Sequence, residues 1–156
     1  MTLYLVCDIS GSMGDGGKHF IMRTAVMAVA QWVRLEYGRA EISLCAWASE
    51  ARRVLNWSVN DEYPEGMLTC GGTSNVAALI QLLGEKPDGK VLLLTDGFWS
   101  RDDAKILKKW KECLLPETLR IIKIGADANP QIKGSDVFTA EELFAALDCW
   151  LQKGSA

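Results

Sequence analysis

The stretch Leu3-Tyr4-Leu5-Val6-Cys7-Asp8-Ile9-Ser10-Gly11-Ser12 decides the fold. Five successive apolar residues show no alternation with polar ones, so they read as a strand covered on both faces, which belongs at the centre of a sheet. The run stops at Asp8 and a glycine-rich turn. Over 18–37 apolar residues then recur at helical spacing (Ile21, Ala25, Val29, Trp32, Val33), with Gly38 as the stop signal.

Working outward, residues 42–47 and 53–57 read as two strands joined through Ala48-Ser49-Glu50-Ala51, a connection short enough for an antiparallel hairpin at a sheet edge. Residues 58–70 lack a period and contain Pro64 and Gly66, so they form a loop leading to Gly71-Gly72-Thr73. A helix follows over 74–83. Val91-Leu92-Leu93-Leu94 is a second buried strand ending in Thr95-Asp96-Gly97, and a helix begins near Ser100, with Asp103 at capping-box spacing. Residues 120–124 and 136–138 are further strands. Thr139, with Glu142, caps a last helix running to about Gln152.

Strands alternating with helices predict an α/β fold: three α-β-α layers around a mostly parallel sheet of about six strands, with one antiparallel edge strand. Right-handed crossovers then bring Asp8 and Asp96 to the carboxyl edge of the sheet, where open α/β sheets bind ligands.

The 156 residues, 49% hydrophobic and 24% charged, predict one globular domain over 1–156 that folds without a disulfide or structural zinc. Seventeen basic against twenty acidic residues give a net charge of −3. The densest basic run, Lys108-Lys109-Trp110-Lys111, lies on an expected amphipathic helix and reads as a solvated face, so nucleic acid is not an expected partner. No apolar run reaches the ~20 residues of a membrane helix, and no basic-then-apolar leader pattern opens the sequence. Five widely spaced cysteines, without a Cys-x-x-Cys motif, read as small buried hydrophobes in a reducing compartment, and a cytoplasmic location is expected.

Three segments converge on the carboxyl edge: Asp8-Ile9-Ser10-Gly11-Ser12, Gly71-Gly72-Thr73 and Thr95-Asp96-Gly97. They supply hydroxyls and carboxylates with no matching His or Cys, a hard-oxygen set that selects Mg²⁺, with Mn²⁺ or Ca²⁺ as alternatives, over zinc or copper. The arrangement resembles the metal-ion-dependent adhesion site of von Willebrand factor A (vWA) domains. Asp8, Ser10 and Ser12 match the family's Asp-x-Ser-x-Ser motif, Thr73 its single threonine and Asp96 its later aspartate.

The resemblance covers nearly the whole chain and implies a Rossmann-like fold. It also implies a non-enzymatic, Mg²⁺-dependent protein-interaction module whose metal takes an Asp or Glu from another protein. Small bacterial vWA proteins working with MoxR-type AAA+ ATPases, or in stress and conflict systems, are the form it is most similar to. Residues 125–136 are too few for the helix that relatives carry between the last two strands, which leaves that edge as a site for a second protein.

Other readings of the same residues fail on spacing or composition. Gly16-Gly17-Lys18 precedes a helix, but a phosphate loop needs glycine where Ser12 stands and Ser or Thr where His19 stands. His19, the one histidine, lies too near Ser12 for a hydrolase triad and reads as a helix-surface residue. A Mg²⁺-dependent phosphatase using the strand-end aspartates is the remaining enzyme alternative, although Ser10 occupies the position where the haloacid-dehalogenase pattern has its second Asp. Of the six tryptophans, Trp32, Trp47, Trp110 and Trp150 sit in helix or strand patterns and read as packing residues. Trp99 follows the metal aspartate and, with Met13 and Asp15, is an expected rim contact for a partner.

Overall fold

The computed structural model describes residues 1–35, 37 and 39–151. Its strands and helices, in chain order, are β1 (Thr2–Asp8), α1 (Lys18–Arg34), β2 (Glu41–Trp47), β3 (Ala51–Arg53), α2 (Val76–Leu83), β4 (Lys90–Thr95), α3 (Arg101–Cys113), β5 (Leu119–Lys123), β6 (Val137–Thr139) and α4 (Leu143–Leu147). Short 3-10 segments occupy Gly11–Gly17, Glu65–Leu68 and Ala140–Glu142.

The strands form a six-stranded sheet of order β3-β2-β1-β4-β5-β6, parallel throughout except for the β2–β3 edge pair. Strand order reverses at β1, which pairs with β2 on one side and β4 on the other. The carboxyl ends of β1 and β4 therefore flank the topological switch point, where the diverging connections leave a crevice.

Alternation along β1 explains the three layers. Leu3, Leu5 and Cys7 pack with Met22, Val26 and Val29 of α1 and with Leu143 and Leu147 of α4. Tyr4 and Val6 pack on the other face with Leu79 of α2 and with Leu107 and Trp110 of α3. Successive side chains of a strand point to opposite faces, so an unbroken apolar run is what a doubly covered strand requires.

Several elements differ from the sequence reading. The hairpin strand is Ala51–Arg53 rather than 53–57, because the turn over 48–50 starts the ladder at Trp47↔Ala51. Asn56 then turns the chain away with φ of 61°, and Leu55 stays 81% exposed. The glycine-rich turn after β1 winds into a 3-10 segment, broken at Asp15 and Gly16. Thr139 and Glu142 do form a capping box, but α4 ends at Leu147, where Asp148 returns to extended backbone. Gly38 and Gln152, the expected helix stops, lie outside the described residues. Asp103 N donates the cap bond to Ser100 Oγ, yet the Asp103 carboxylate accepts from Val76 N at 3.1 Å and so ties α3 to the start of α2. Cys7 and Cys45 are buried, whereas Cys113 and Cys149 are exposed.

The short β5–β6 connection contains no helix, as expected, and folds back over the end of β4. Asn129 N donates to Asp96 O at 2.8 Å, and Asn129 Nδ2 to Gly97 O at 3.1 Å. Gly97, at φ 76°, permits this closeness: a Cβ there would lie 2.8 Å from Ile132 Cγ1. Among the described residues, no helix is long and apolar enough to cross a membrane.

Candidate metal centre

Six polar side chains are buried among the described residues: Asp8, Ser10, Lys18, Ser74, Thr95 and Asp96. All six stand at the carboxyl edge beside the switch point. Buried polar groups persist only when bonded to one another or to a ligand, so their concentration in one place marks a site.

Two backbone bonds join the loops that carry the serines and the threonine. Gly11 N donates to Gly72 O at 2.9 Å, and Gly71 N to Ile9 O at 2.9 Å. Gly72 adopts φ 80°, and a Cβ there would meet Ser49 Oγ at 2.6 Å, so only glycine fits this turn. Ser49 Oγ accepts from Thr73 N at 3.1 Å and lies 3.3 Å from Thr73 Oγ1, which orients the exposed threonine.

Asp8 anchors the centre. Its Oδ1 accepts from Ser10 N at 2.9 Å and from Ser10 Oγ at 2.5 Å, and its Oδ2 accepts from Thr95 Oγ1 at 2.6 Å. Thr95 also accepts from Gly97 N and from Trp99 Nε1, which saturates its hydroxyl. Ser74 Oγ donates to Ser10 Oγ at 3.0 Å, and the bonds described leave Ser10 one lone pair. Burial raises the Asp8 pKa above its ordinary value; the bonds from Ser10 and Thr95 oppose this, and the nearby Asp96 charge adds to it.

Asp96 is held from two sides. Its Oδ1 accepts from Phe98 N at 3.2 Å, and Lys18 Nζ lies 3.1 Å from its Oδ2. Lys18 also pairs with Asp127 at 3.1 Å and approaches Ser12 O at 3.5 Å, linking the first loop to the β4 end. Burial pulls the Lys18 pKa down, but the bonds to Asp127 and Asp96 outweigh it and the net shift is upward.

Asp8, Ser10, Ser12, Thr73 and Asp96 thus lie on three loops gathered at one edge, and the donor chemistry fits a hard divalent cation. No cluster of three or more His, Cys, Asp or Glu occurs among the described residues, so hydroxyls make up most of this donor set.

The rim differs from expectation. Met13 is fully buried, packed in the layer beneath β1, and is a core residue rather than a rim contact. Asp15 is exposed on the 3-10 segment. Trp99 is half-buried, with its ring centroid 6.4 Å from that of Trp47 and its indole nitrogen on Thr95. The exposed aromatic at this edge is its neighbour Phe98, with 46% of its surface accessible. Sequence reasoning missed Phe98, Ser49, Ser74 and Lys18. Lys18 did carry a signal, a lysine set directly after two glycines at a helix start.

No protein-family model matches the sequence, and no curated protein matches it. Solved structures do. Manganese-loaded TRAP protein from Plasmodium vivax is 20% identical, with a TM-score of 0.65 over 99% of this chain and 74% of that one. A von Willebrand factor type A structure from Catenulispora acidiphila is 18% identical, with a TM-score of 0.58 over 94% of this chain and 40% of that one. Proximal thread matrix protein 1 from the mussel byssus, with a zinc-occupied MIDAS motif, is 15% identical, with a TM-score of 0.55 over 94% and 44%. The chain spans less than half the length of these last two. These likenesses extend over nearly the whole of this chain, with its mostly parallel six-stranded sheet and one antiparallel edge: the chain has the von Willebrand factor A fold.

Proposed function

We propose that this chain is a protein-interaction module that binds Mg²⁺ through Asp8, Ser10, Ser12, Thr73 and Asp96 and uses it to recognise an Asp or Glu of a partner protein. The observation that carries the reading is the confinement of every buried polar side chain among the described residues to this one edge. A bound divalent cation supplies positive charge toward which an external carboxylate is drawn, because neutral hydroxyls make up most of the donor set. Ser10, Ser12 and Thr73 contribute those hydroxyls, while Asp8 holds Ser10 in place and Asp96 stands across the crevice. The manganese-loaded TRAP structure and the zinc-occupied MIDAS motif of the mussel protein, both similar in fold to this chain, support the binding of a divalent ion.

Asp8, 1% exposed and bonded to Ser10 and Thr95, is better suited to holding the donor set in place beside an ion than to attacking a phosphate ester. A cytoplasmic setting and a MoxR-type ATPase or a stress or conflict system as the partner belong to the same proposal, resting on the resemblance alone. Panning a displayed peptide library in Mg²⁺ tests it. The reading expects enriched peptides bearing a carboxylate, with binding lost in chelator and on Ser12→Ala. Peptides that bind equally well in chelator contradict it.

A further inference from the structure

The candidate centre contains a cation of its own. Lys18 is 3% exposed, and the chain is shaped around its stem: a Cβ at Gly125, which adopts φ 98°, would lie 3.0 Å from Lys18 Cε and 3.1 Å from Lys18 Cγ. Gly16 and Gly17, at φ 60° and 75°, let the backbone turn sharply so that Lys18 opens α1 directly beneath the edge. Its ammonium lies 3.1 Å from Asp96 Oδ2, 3.1 Å from Asp127 Oδ2 and 5.3 Å from the Phe98 ring centroid.

The two carboxylates differ in kind. The Asp96 side chain is 1% exposed and that of Asp127 is 67% exposed. A buried ammonium needs a partner, and here one partner belongs to the metal centre while the other lies outside it. A divalent ion approaching Asp96 meets a positive charge already held on the same carboxylate. At such short range, and away from bulk water, like charges oppose each other strongly.

We infer that Lys18 is a tethered counter-cation that competes with the divalent ion for Asp96, and that Asp127 holds the ammonium when the ion takes Asp96. The inference rests on the metal-binding reading above and adds its regulation. Without metal, the ammonium neutralises Asp96 and preserves the edge. With metal, the ammonium stays paired through Asp127 rather than being left alone in a buried position. The affinity of the site is thereby set by two residues that donate nothing to the metal.

Calorimetric titration of the full chain with Mn²⁺ tests this, using wild type, Lys18→Met, Asp127→Asn and the double variant. Lys18→Met should bind Mn²⁺ more tightly, on the order of tenfold, because the competing charge is gone. Asp127→Asn should bind more weakly, by roughly threefold, because the displaced ammonium loses its second partner. In the Lys18→Met background the same Asp127 change should have an effect of less than about twofold.

If wild type binds Mn²⁺ and Lys18→Met binds it equally or less well, the competition is overturned while the metal site stands. If none of the four proteins binds Mn²⁺, the metal-binding reading itself falls, and this inference with it. Should Lys18→Met fail to fold in chelator, excess Mn²⁺ should restore a cooperative melt by taking over the charge of Asp96. A variant that stays unfolded in Mn²⁺ overturns the proposal.

Discussion

The two ends of the same strands handle charge in opposite ways. At the amino ends of β4 and β5, Lys90 and Arg120 lie 5.2 and 5.1 Å from the Trp150 ring centroid, and their nitrogens donate to the backbone carbonyls of Trp150 and Ala146. Trp150 Nε1 donates in turn to Glu117 O at 2.6 Å. At the carboxyl ends, carboxylates, hydroxyls and one ammonium bond to one another and keep unused lone pairs. A cation bound to a backbone carbonyl has a fixed partner and serves packing. A carboxylate edge with spare acceptors can exchange its partner for an ion. Both clusters are polar, but Lys90 and Arg120 are only half-buried whereas Asp8, Ser10, Lys18 and Asp96 are buried, so burial of the polar groups, and not polarity alone, sets the carboxyl edge apart.

The largest expected effect separates the two ends by stability. Trp150 is 3% exposed at the centre of its cluster, and Trp150→Ala should cost about 3–5 kcal/mol in denaturant unfolding while Mn²⁺ affinity of the folded protein stays near wild type. A parallel loss of metal affinity would show that the ends are coupled. Next in size is the metal itself: at a hundredfold excess over Kd it should stabilise the fold by about 2.7 kcal/mol. Chelator should lower the melting temperature and leave a cooperative transition, because the buried core does not depend on the ion. Full unfolding in EDTA would break that distinction.

A smaller effect sharpens the rim. Phe98→Ala should weaken an identified partner by about 1–2 kcal/mol with little change in melting, since Phe98 is exposed. Trp99→Ala should instead lower the melting temperature, because its ring packs near Trp47 and its indole holds Thr95. The reverse pattern would return Trp99 to the partner surface.

The smallest effect concerns Asp8 without metal. Its folded pKa lies above the ordinary 3.8, chiefly through burial, so the folded state binds the extra proton and ionisation works against folding. Relative to wild type in chelator, Asp8→Asn should therefore gain stability as pH rises from 3.8 through the folded pKa, while losing the stabilisation by metal. Melting curves of both proteins across that window test the sign. A wild type that gains on the variant with rising pH would contradict it.

The sheet was legible because Leu3 to Cys7 and Val91 to Leu94 are apolar without interruption, and periodicity reports burial directly. The gathering of Asp8, Ser10, Ser12 and Asp96 at one edge was legible because they stand at or just beyond the ends of two buried strands, whereas Thr73, on the long connection after β3, was legible only through the motif. What stayed hidden depends on register and side-chain direction. Met13 resembles a rim residue until the 3-10 segment turns it inward. Phe98 and Trp99 are neighbours, and only the folded turn after β4 decides which one faces water. Lys18 lacks a phosphate-loop spacing, and its partners Asp96 and Asp127 lie far along the chain and meet it only after folding. The β3 ladder was misplaced because turn length, not the apolar pattern of Val54 to Trp57, set its register.

The most direct test of the central claim is equilibrium binding of Mn²⁺, followed by the loss of its free-ion paramagnetic resonance signal, in wild type and in Ser12→Ala. The account predicts one ion bound per wild-type chain, displaced by excess Mg²⁺, and markedly weaker binding in the variant. No bound Mn²⁺ in the folded wild type, or equal binding by both proteins, would contradict a metal centre at the carboxyl edge of β1 and β4.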